Sequence, residues 1–197
     1  LEDPEGAGKA DLLLVGGSST GRGVVTSASY GARRFGVQSA MPTAQALHLC
    51  PDATVVGVPR RACSQKSREI RSCLERLAPV VQAASIDEFY LDLAGTERLF
   101  GEPLEVTAHR IREVVLEATR ISVSVGGGSR RMIAKLASGK AKPGGVHIVP
   151  LGHEEDFMRG LDLAEIPGVG PALVEALRMR GLVRIEEALG VQQEWLE

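Results

Sequence analysis

No apolar run in the 197 residues approaches the ~20 that a membrane-spanning helix requires. The longest, such as Leu12-Leu13-Leu14-Val15, are strand-sized, which excludes a transmembrane protein. Cysteine is scarce: Cys50, Cys63 and Cys73 are an odd set without close metal-ligand spacing, read as reduced, half-buried thiols of a cytoplasmic protein. No secretory signal is legible in the opening residues. His48, His109, His147 and His153 fall into neither an H-E-x-x-H nor a cysteine-rich pattern, so zinc is not expected. Gly6-Ala7-Gly8-Lys9-Ala10 resembles the end of a Walker A loop, but Asp3 takes the place of its first glycine and Ala10 that of its Ser or Thr. Gly126-Gly127-Gly128 lacks the spacing of a dinucleotide loop. What is left is an ordinary globular composition of one large or two small domains.

Charge is balanced in sum, 23 basic against 25 acidic side chains for a net −2, but not in distribution. No acid lies between Asp11 and Asp52, a stretch that carries Arg22, Arg33 and Arg34. None lies from Ser129 to Gly145, which carries Arg130, Arg131, Lys135, Lys140 and Lys142. Such tracts are commonly solvated helix faces. Two of them in one chain can also present positive potential to a polyanion.

Periodicity predicts strands over 11–15, 23–28 and 53–58, a short helix over 30–35 and another over 42–50 opened by Pro42 and stopped by Pro51. A helix over 60–77 follows, with Cys63, Ile70, Cys73, Leu74 and Leu77 as its apolar positions. Strands over 80–84 and 89–93 are joined at Ser85-Ile86-Asp87-Glu88. A helix over 103–119 buries Val106, Ile111, Val114, Val115 and Ala118, and 121–125 alternates as a period-two strand. A helix over 130–138 and a strand over 146–149 complete an α-β-β-α-β order. One strand added before it makes the β-α-β-β-α-β, ferredoxin-like arrangement, an α+β fold with a mostly antiparallel sheet whose free face can hold a site. The remainder reads as short helices.

Asp87-Glu88 is the most informative pair. Adjacent residues of a regular strand point to opposite faces, so two neighbouring carboxylates converge only at a strand end or turn. Hard oxygen donors there suit Mg²⁺, which takes one or two carboxylates together with waters and substrate phosphates; a solvated hairpin tip suits the same residues. Asp92, further along, reads as structural. Tyr30 and Arg33 lie three apart on one helical face, where a phenol and a guanidinium can grip a phosphate or simply face water. Lys142 precedes Pro143-Gly144-Gly145, on a loop from which an ammonium reaches a triphosphate as a point charge. Ile166-Pro167-Gly168-Val169-Gly170-Pro171 bares backbone N–H groups at a helix start, a phosphate-binding arrangement or a plain glycine turn.

Taken together, these stretches resemble a Y-family, lesion-bypass DNA polymerase of the bacterial DinB type. The matching text is Ser29-Tyr30-Gly31-Ala32-Arg33-Arg34-Phe35-Gly36-Val37-Gln38-Ser39-Ala40-Met41-Pro42 and Ser85-Ile86-Asp87-Glu88-Phe89-Tyr90-Leu91-Asp92. It continues with Ala134-Lys135-Leu136-Ala137-Ser138, Ala141-Lys142-Pro143-Gly144-Gly145 and Ile166-Pro167-Gly168-Val169-Gly170, in family order across nearly the whole chain. The resemblance implies fingers over 1–59, a ferredoxin-like palm over 60–149 and the start of a helical thumb over 150–197. It implies two Mg²⁺ ions on Asp87 and Glu88 as the catalytic carboxylates. Tyr30, Arg33 and Lys142 match triphosphate contacts, and Ser27 stands where the family usually has a phosphate-contacting Thr. Ala40 matches a small residue over the nascent base pair, and Gly168 and Gly170 a DNA-backbone-binding hairpin.

The implied partners are primer-template DNA, an incoming dNTP and, through a region outside this chain, a sliding clamp. Three departures accompany the match, one being that the family's C-terminal DNA-gripping domain is absent from this chain. The chain starts downstream of the family strand that carries another metal-binding aspartate, so by itself it is expected to polymerise weakly or not at all. Gly128-Ser129-Arg130-Arg131 stands where the family has Ser-x-Asn-Lys. Two other readings stay open at this point: a non-catalytic relative that recruits proteins to damaged DNA, and a plain DNA-binding module built on the Pro167–Pro171 turn.

Overall fold

The computed structural model describes residues 5–18, 20 and 22–191, and the chain divides into two compact units, Leu1–Ser67 and Arg68–Glu197. In the first, β1 (Leu13–Gly16), β2 (Val25–Ala28) and β3 (Thr54–Val56) form a sheet in the order β2-β1-β3, antiparallel for β1 with β2 and parallel for β1 with β3. The apolar run centred on Leu14 becomes the middle strand because only there are both edges paired. Leu14 is fully buried among Val25, Ala32, Val37, Ala46 and Cys50, and burying such a leucine contributes about 1.5–3 kcal/mol. Two short helices, α1 (Tyr30–Arg33) and α2 (Thr43–Leu49), carry Ala32 and Ala46 into the same core. Pro42 caps α2, and Cys50, the residue before Pro51, leaves helical conformation, as the steric demand of a following proline requires.

Helix α3 (Arg60–Leu74) spans the division, and its C-terminal end belongs to the second unit. There Cys73 and Leu74 pack with Ile111 and Val115 of a helix that follows the hairpin. The hairpin is β4 (Val80–Ala83) and β5 (Phe89–Asp92), and its Val81, Phe89 and Leu91 lie on that core. A single turn, α4 (Glu97–Phe100), which periodicity did not predict, leads to α5 (Leu104–Thr119). The buried stripe of α5 is Thr107, Ala108, Ile111, Val115 and Thr119; Val106 and Ala118, expected inside, are exposed. Threonines can take those places because their hydroxyls are satisfied locally, Thr119 donating to the Val115 carbonyl at 2.7 Å and Thr107 to Glu102 at 2.8 Å. The cysteines differ likewise from the expected half-burial: Cys50 and Cys73 are buried, Cys63 is exposed, and all three are free.

Next come β6 (Val125–Gly127), α6 (Arg131–Lys140) and β7 (Val146–Ile148), a β-α-β unit whose strands pair in parallel. The alternating stretch 121–125 is not itself a strand: the ladder starts at Val125 and runs into glycines. The cause is the closeness of α6. A Cβ on Gly126 would fall inside contact distance of the Ser138 nitrogen and the Ala134 oxygen, so only glycine lets strand and helix backbones meet. Among the described residues the strands of the second unit thus form two ladders, β4-β5 antiparallel and β6-β7 parallel. The last helices, α7 (Glu154–Arg159), α8 (Pro171–Met179) and α9 (Ile185–Leu189), bring Phe157, Leu177 and Ile185 against Leu136 of α6.

Candidate active site

Asp87 and Glu88 sit in the connection between β4 and β5. The register Ala83↔Phe89 closes the ladder, and the Ala84 N–H donates to the Glu88 carbonyl at 2.9 Å. The turn is organised by a hydroxyl: Ser85 Oγ donates to Asp87 Oδ1 at 2.6 Å and accepts from the backbone N–H groups of Asp87 (3.3 Å) and Glu88 (3.1 Å). Both carboxylates are exposed, so the ladder holds two negative charges at its end without the cost of burying them. Beyond the turn, Asp92 accepts from the Ala94 N–H at 3.0 Å and ends β5, the structural part expected of it.

The electrostatics of the pair are unequal. Glu88 is ion-paired to Lys135 of α6, and the bonded carboxylate holds the Lys135 ammonium above its ordinary pKa. Asp87 makes no ion pair among the described residues. One turn back on α6, the Arg131 guanidinium lies 5.4 Å from the centre of the Tyr90 ring. Glu88 in the turn and Tyr90 on β5 lie two residues apart, and 131 and 135 share one face of the helix, so two cations of α6 seat on the end of the hairpin. Sequence reading singled out neither Ser85 nor the Lys135 and Arg131 partnerships; the readable signal was the match of an i, i+4 cation pair to an i, i+2 pair.

A divalent cation needs oxygen donors, and here two neighbouring exposed carboxylates, one of them without an ion pair among the described residues, supply part of such a set. Among the described residues no group of three His, Cys, Asp or Glu side chains is close enough to hold a metal. The pair therefore fits an ion that takes its remaining ligands from water and substrate phosphate, as Mg²⁺ commonly does.

Lys142 lies in the same unit, exposed on the turn between α6 and β7, and its peptide bond to Pro143 is cis. It makes no ion pair among the described residues. Gly168 has φ +97°, the left-handed region glycine tolerates, while Gly170 is extended and opens α8, whose Pro171 stands at N1 and whose first turn has no side-chain cap.

In the first unit, Ser29 caps α1 by accepting from the Ala32 N–H (3.2 Å) and donates to the Asp11 carbonyl (2.7 Å), tying the helix to the start of β1. That leaves Tyr30 57% exposed. Arg33, also exposed, is steadied by Nε donating to the Ala28 carbonyl at 3.1 Å and Nη2 to the Ser39 hydroxyl at 3.4 Å. Ser27, on β2 opposite Val15, is exposed. Ala40 adopts φ +67°, an uncommon conformation for a non-glycine residue, held by its N–H on the Val25 carbonyl at 2.8 Å. The structure thus keeps Ser27, Tyr30, Arg33 and Ala40 in one unit and Asp87, Glu88, Lys142, Gly168 and Gly170 in the other.

Residues 3–139 match the impB/mucB/samB family. The chain belongs to that family. Relatives include DNA polymerase IV of Treponema denticola, 39% identical over 197 residues, which are 100% of this chain and 49% of the relative. DNA polymerase IV of Shewanella baltica is 39% identical over 179 residues, 91% of this chain and 49% of the relative. The chain spans about half the length of the curated relatives it matches. Among solved structures, DinB from Sulfolobus solfataricus superposes with a TM-score of 0.85 at 31% identity, covering 100% of this chain and 58% of that one. An insertion ternary complex of Dbh DNA polymerase gives 0.82 at 31% identity, covering 100% and 57%. The Y-family, DinB-like, mixed α+β architecture implied by the sequence text is therefore the fold of this impB/mucB/samB chain.

Proposed function

We propose that the chain is the catalytic core of a template-directed DNA polymerase of the translesion type, with fingers over 1–59, palm over 60–149 and the start of a thumb over 150–197. The observation that carries this reading is the exposed Asp87-Glu88 pair, set by Ser85 at the end of a strand ladder in a chain of the impB/mucB/samB family. The reaction is attack of a primer 3′-hydroxyl on the α-phosphate of a dNTP, with pyrophosphate leaving. Template pairing selects the base.

The residues divide the work. Asp87 and Glu88 would hold two Mg²⁺ ions, whose chemistry is to acidify the primer hydroxyl and neutralise the leaving pyrophosphate. Arg33 offers the triphosphate a guanidinium already oriented by the Ala28 carbonyl, Tyr30 and Ser27 offer hydroxyls, and Lys142 a point charge. Ala40 lies over the nascent base pair, where a methyl group leaves room for a distorted template. The N–H groups around Gly168 and Gly170 grip a DNA phosphate. The partners are primer-template DNA, dNTP and a sliding clamp. The location is the cytoplasm, in line with three free thiols; no helix among the described residues is long and apolar enough to cross a membrane.

Primer extension by the gene product that carries this chain tests the reading. Asp87→Ala is expected to lower incorporation at least about a hundredfold, since loss of a ligand should exceed the 10–100-fold cost of losing a ligand's supporting partner. Lys140→Ala, whose ammonium is engaged by Glu165 at 2.8 Å, should leave incorporation unchanged. Full activity in Asp87→Ala overturns the assignment, and a wild-type protein that binds DNA without Mg²⁺-dependent incorporation favours the non-catalytic reading.

A further inference from the structure

The turn that carries Lys142 is held more firmly than an exposed loop needs to be. Its Lys142 N–H donates to the Gly139 carbonyl at 3.3 Å, and the Gly145 N–H to the Ala141 carbonyl at 2.7 Å. Gly144 is gripped from both ends: its N–H donates to Ser124 Oγ at 2.9 Å, and its carbonyl accepts from Arg112 Nη1 at 2.6 Å. Gly144 has φ +63°, and a Cβ there would stand 2.8 Å from Ser122 Oγ, so backbone and neighbours together admit one path.

Arg112 reaches this carbonyl from α5, 32 residues away in sequence. Its side chain is 31% exposed, its Nε–H is buried without an acceptor among the described residues, and its nearest carboxylate, on Glu113, stands at 4.0 Å. A charge is thus held half out of water and directed at one backbone carbonyl, where a charge-assisted hydrogen bond is stronger than a neutral one. An arginine needed for packing alone would not keep an unmatched donor there.

We propose that Arg112 is a positioning residue for Lys142. By fixing the Gly144 carbonyl it sets the course of residues 141–145, so that the exposed ammonium of Lys142 is delivered from a rigid base. This rests on the reading of Lys142 as a triphosphate contact. Of the five basic residues from 130 to 142, Arg131, Lys135 and Lys140 are engaged by Tyr90, Glu88 and Glu165; Arg130 and Lys142 make no ion pair among the described residues, and of these two only Lys142 stands on the turn that Arg112 holds.

The test is the affinity of the chain for Mg²⁺-dATP, with hydrogen exchange at the Gly144 and Gly145 amides alongside. Lys142→Ala should weaken dATP about tenfold or more, the value of a hydrogen bond to a charged group. Arg112→Met should approach the same loss and speed exchange at both amides, and Arg112→Lys should recover part of each. The double variant Arg112→Met/Lys142→Ala should bind no more weakly than Lys142→Ala alone. Multiplying losses, or normal dATP affinity in both Arg112 variants beside a weakened Lys142→Ala, overturns the positioning role and leaves the function standing. Should Arg112→Met not fold, Arg112→Lys with and without Lys142→Ala gives the same comparison. A wild-type chain that binds no dATP, or a Lys142→Ala variant that binds it normally, overturns the reading of Lys142 and this inference with it.

Discussion

The two carboxylate-free basic tracts look alike in sequence and are used differently in the fold. In the first, Arg33 bonds only to a backbone carbonyl and a hydroxyl, and neither Arg22 nor Arg34 is ion-paired among the described residues. In the second, three of five cations are engaged by the protein's own groups: Arg131 over Tyr90, Lys135 on Glu88 and Lys140 on Glu165. Positive charge in a sequence is therefore not a measure of charge available to a ligand. In the first tract Arg33 and Arg34 stand exposed at the end of α1 and Arg22 in the loop before β2, whereas most of the second fastens α6 to the hairpin and to the segment between α7 and α8.

Substitutions sharpen that contrast, from large effects to small. Gly126→Ala strikes the seat of the second tract, because the added methyl meets α6 backbone on both sides. It should cost about 1–3 kcal/mol or more in urea unfolding; unchanged stability would show that strand and helix can part freely. Arg33→Ala strikes the first tract and should weaken dATP by about 1.5–3 kcal/mol, the value of a hydrogen bond to a charged group, while leaving the melting temperature unchanged. The reverse pattern, lost stability with normal binding, would make Arg33 structural. Lys135→Met removes a part-exposed ion pair, with its partners 34% and 46% exposed, and should lower stability by no more than about 1 kcal/mol.

Smallest is a pH effect outside both tracts. Glu187 accepts from the N–H groups of Arg184 (2.8 Å) and Val183 (2.6 Å), and these bonds hold its carboxyl below the ordinary glutamate value. A depressed folded-state pKa means the contribution is present above the unfolded value of about 4.3 and is lost as pH falls through the lower folded one. Acid titration of stability should show a shallower decline in Glu187→Gln than in the wild type over that window. Identical slopes would remove Glu187 from the account.

Much of this fold is legible in the chain because apolar runs and helical spacing are local signals. The strands around Leu14 and Phe89 and the helices begun by Pro42 and Pro103 lie within a residue or two of where periodicity puts them. The alternation over 121–125 misleads because its residues serve other ends. Val123 packs on the α3–α5 core and Ser124 holds the Gly144 N–H, while the ladder itself needs glycine against α6. In the site, Asp87 and Glu88 stand out because apolar runs flank them. Lys135, 47 residues from Glu88, and Arg112, 32 from Gly144, do not, since each becomes a partner only once a helix has been placed on its strand or turn.

The central claim is that Asp87 and Glu88 form the divalent-cation end of a nucleotidyl-transfer site. Mn²⁺ binding in the presence of dATP, followed by electron paramagnetic resonance for the wild-type chain and for Asp87→Asn, tests it most directly. The account predicts bound Mn²⁺ in the wild type and its loss in Asp87→Asn, a change that keeps the side chain's shape and removes its charge. Equal Mn²⁺ binding by the two proteins would contradict it.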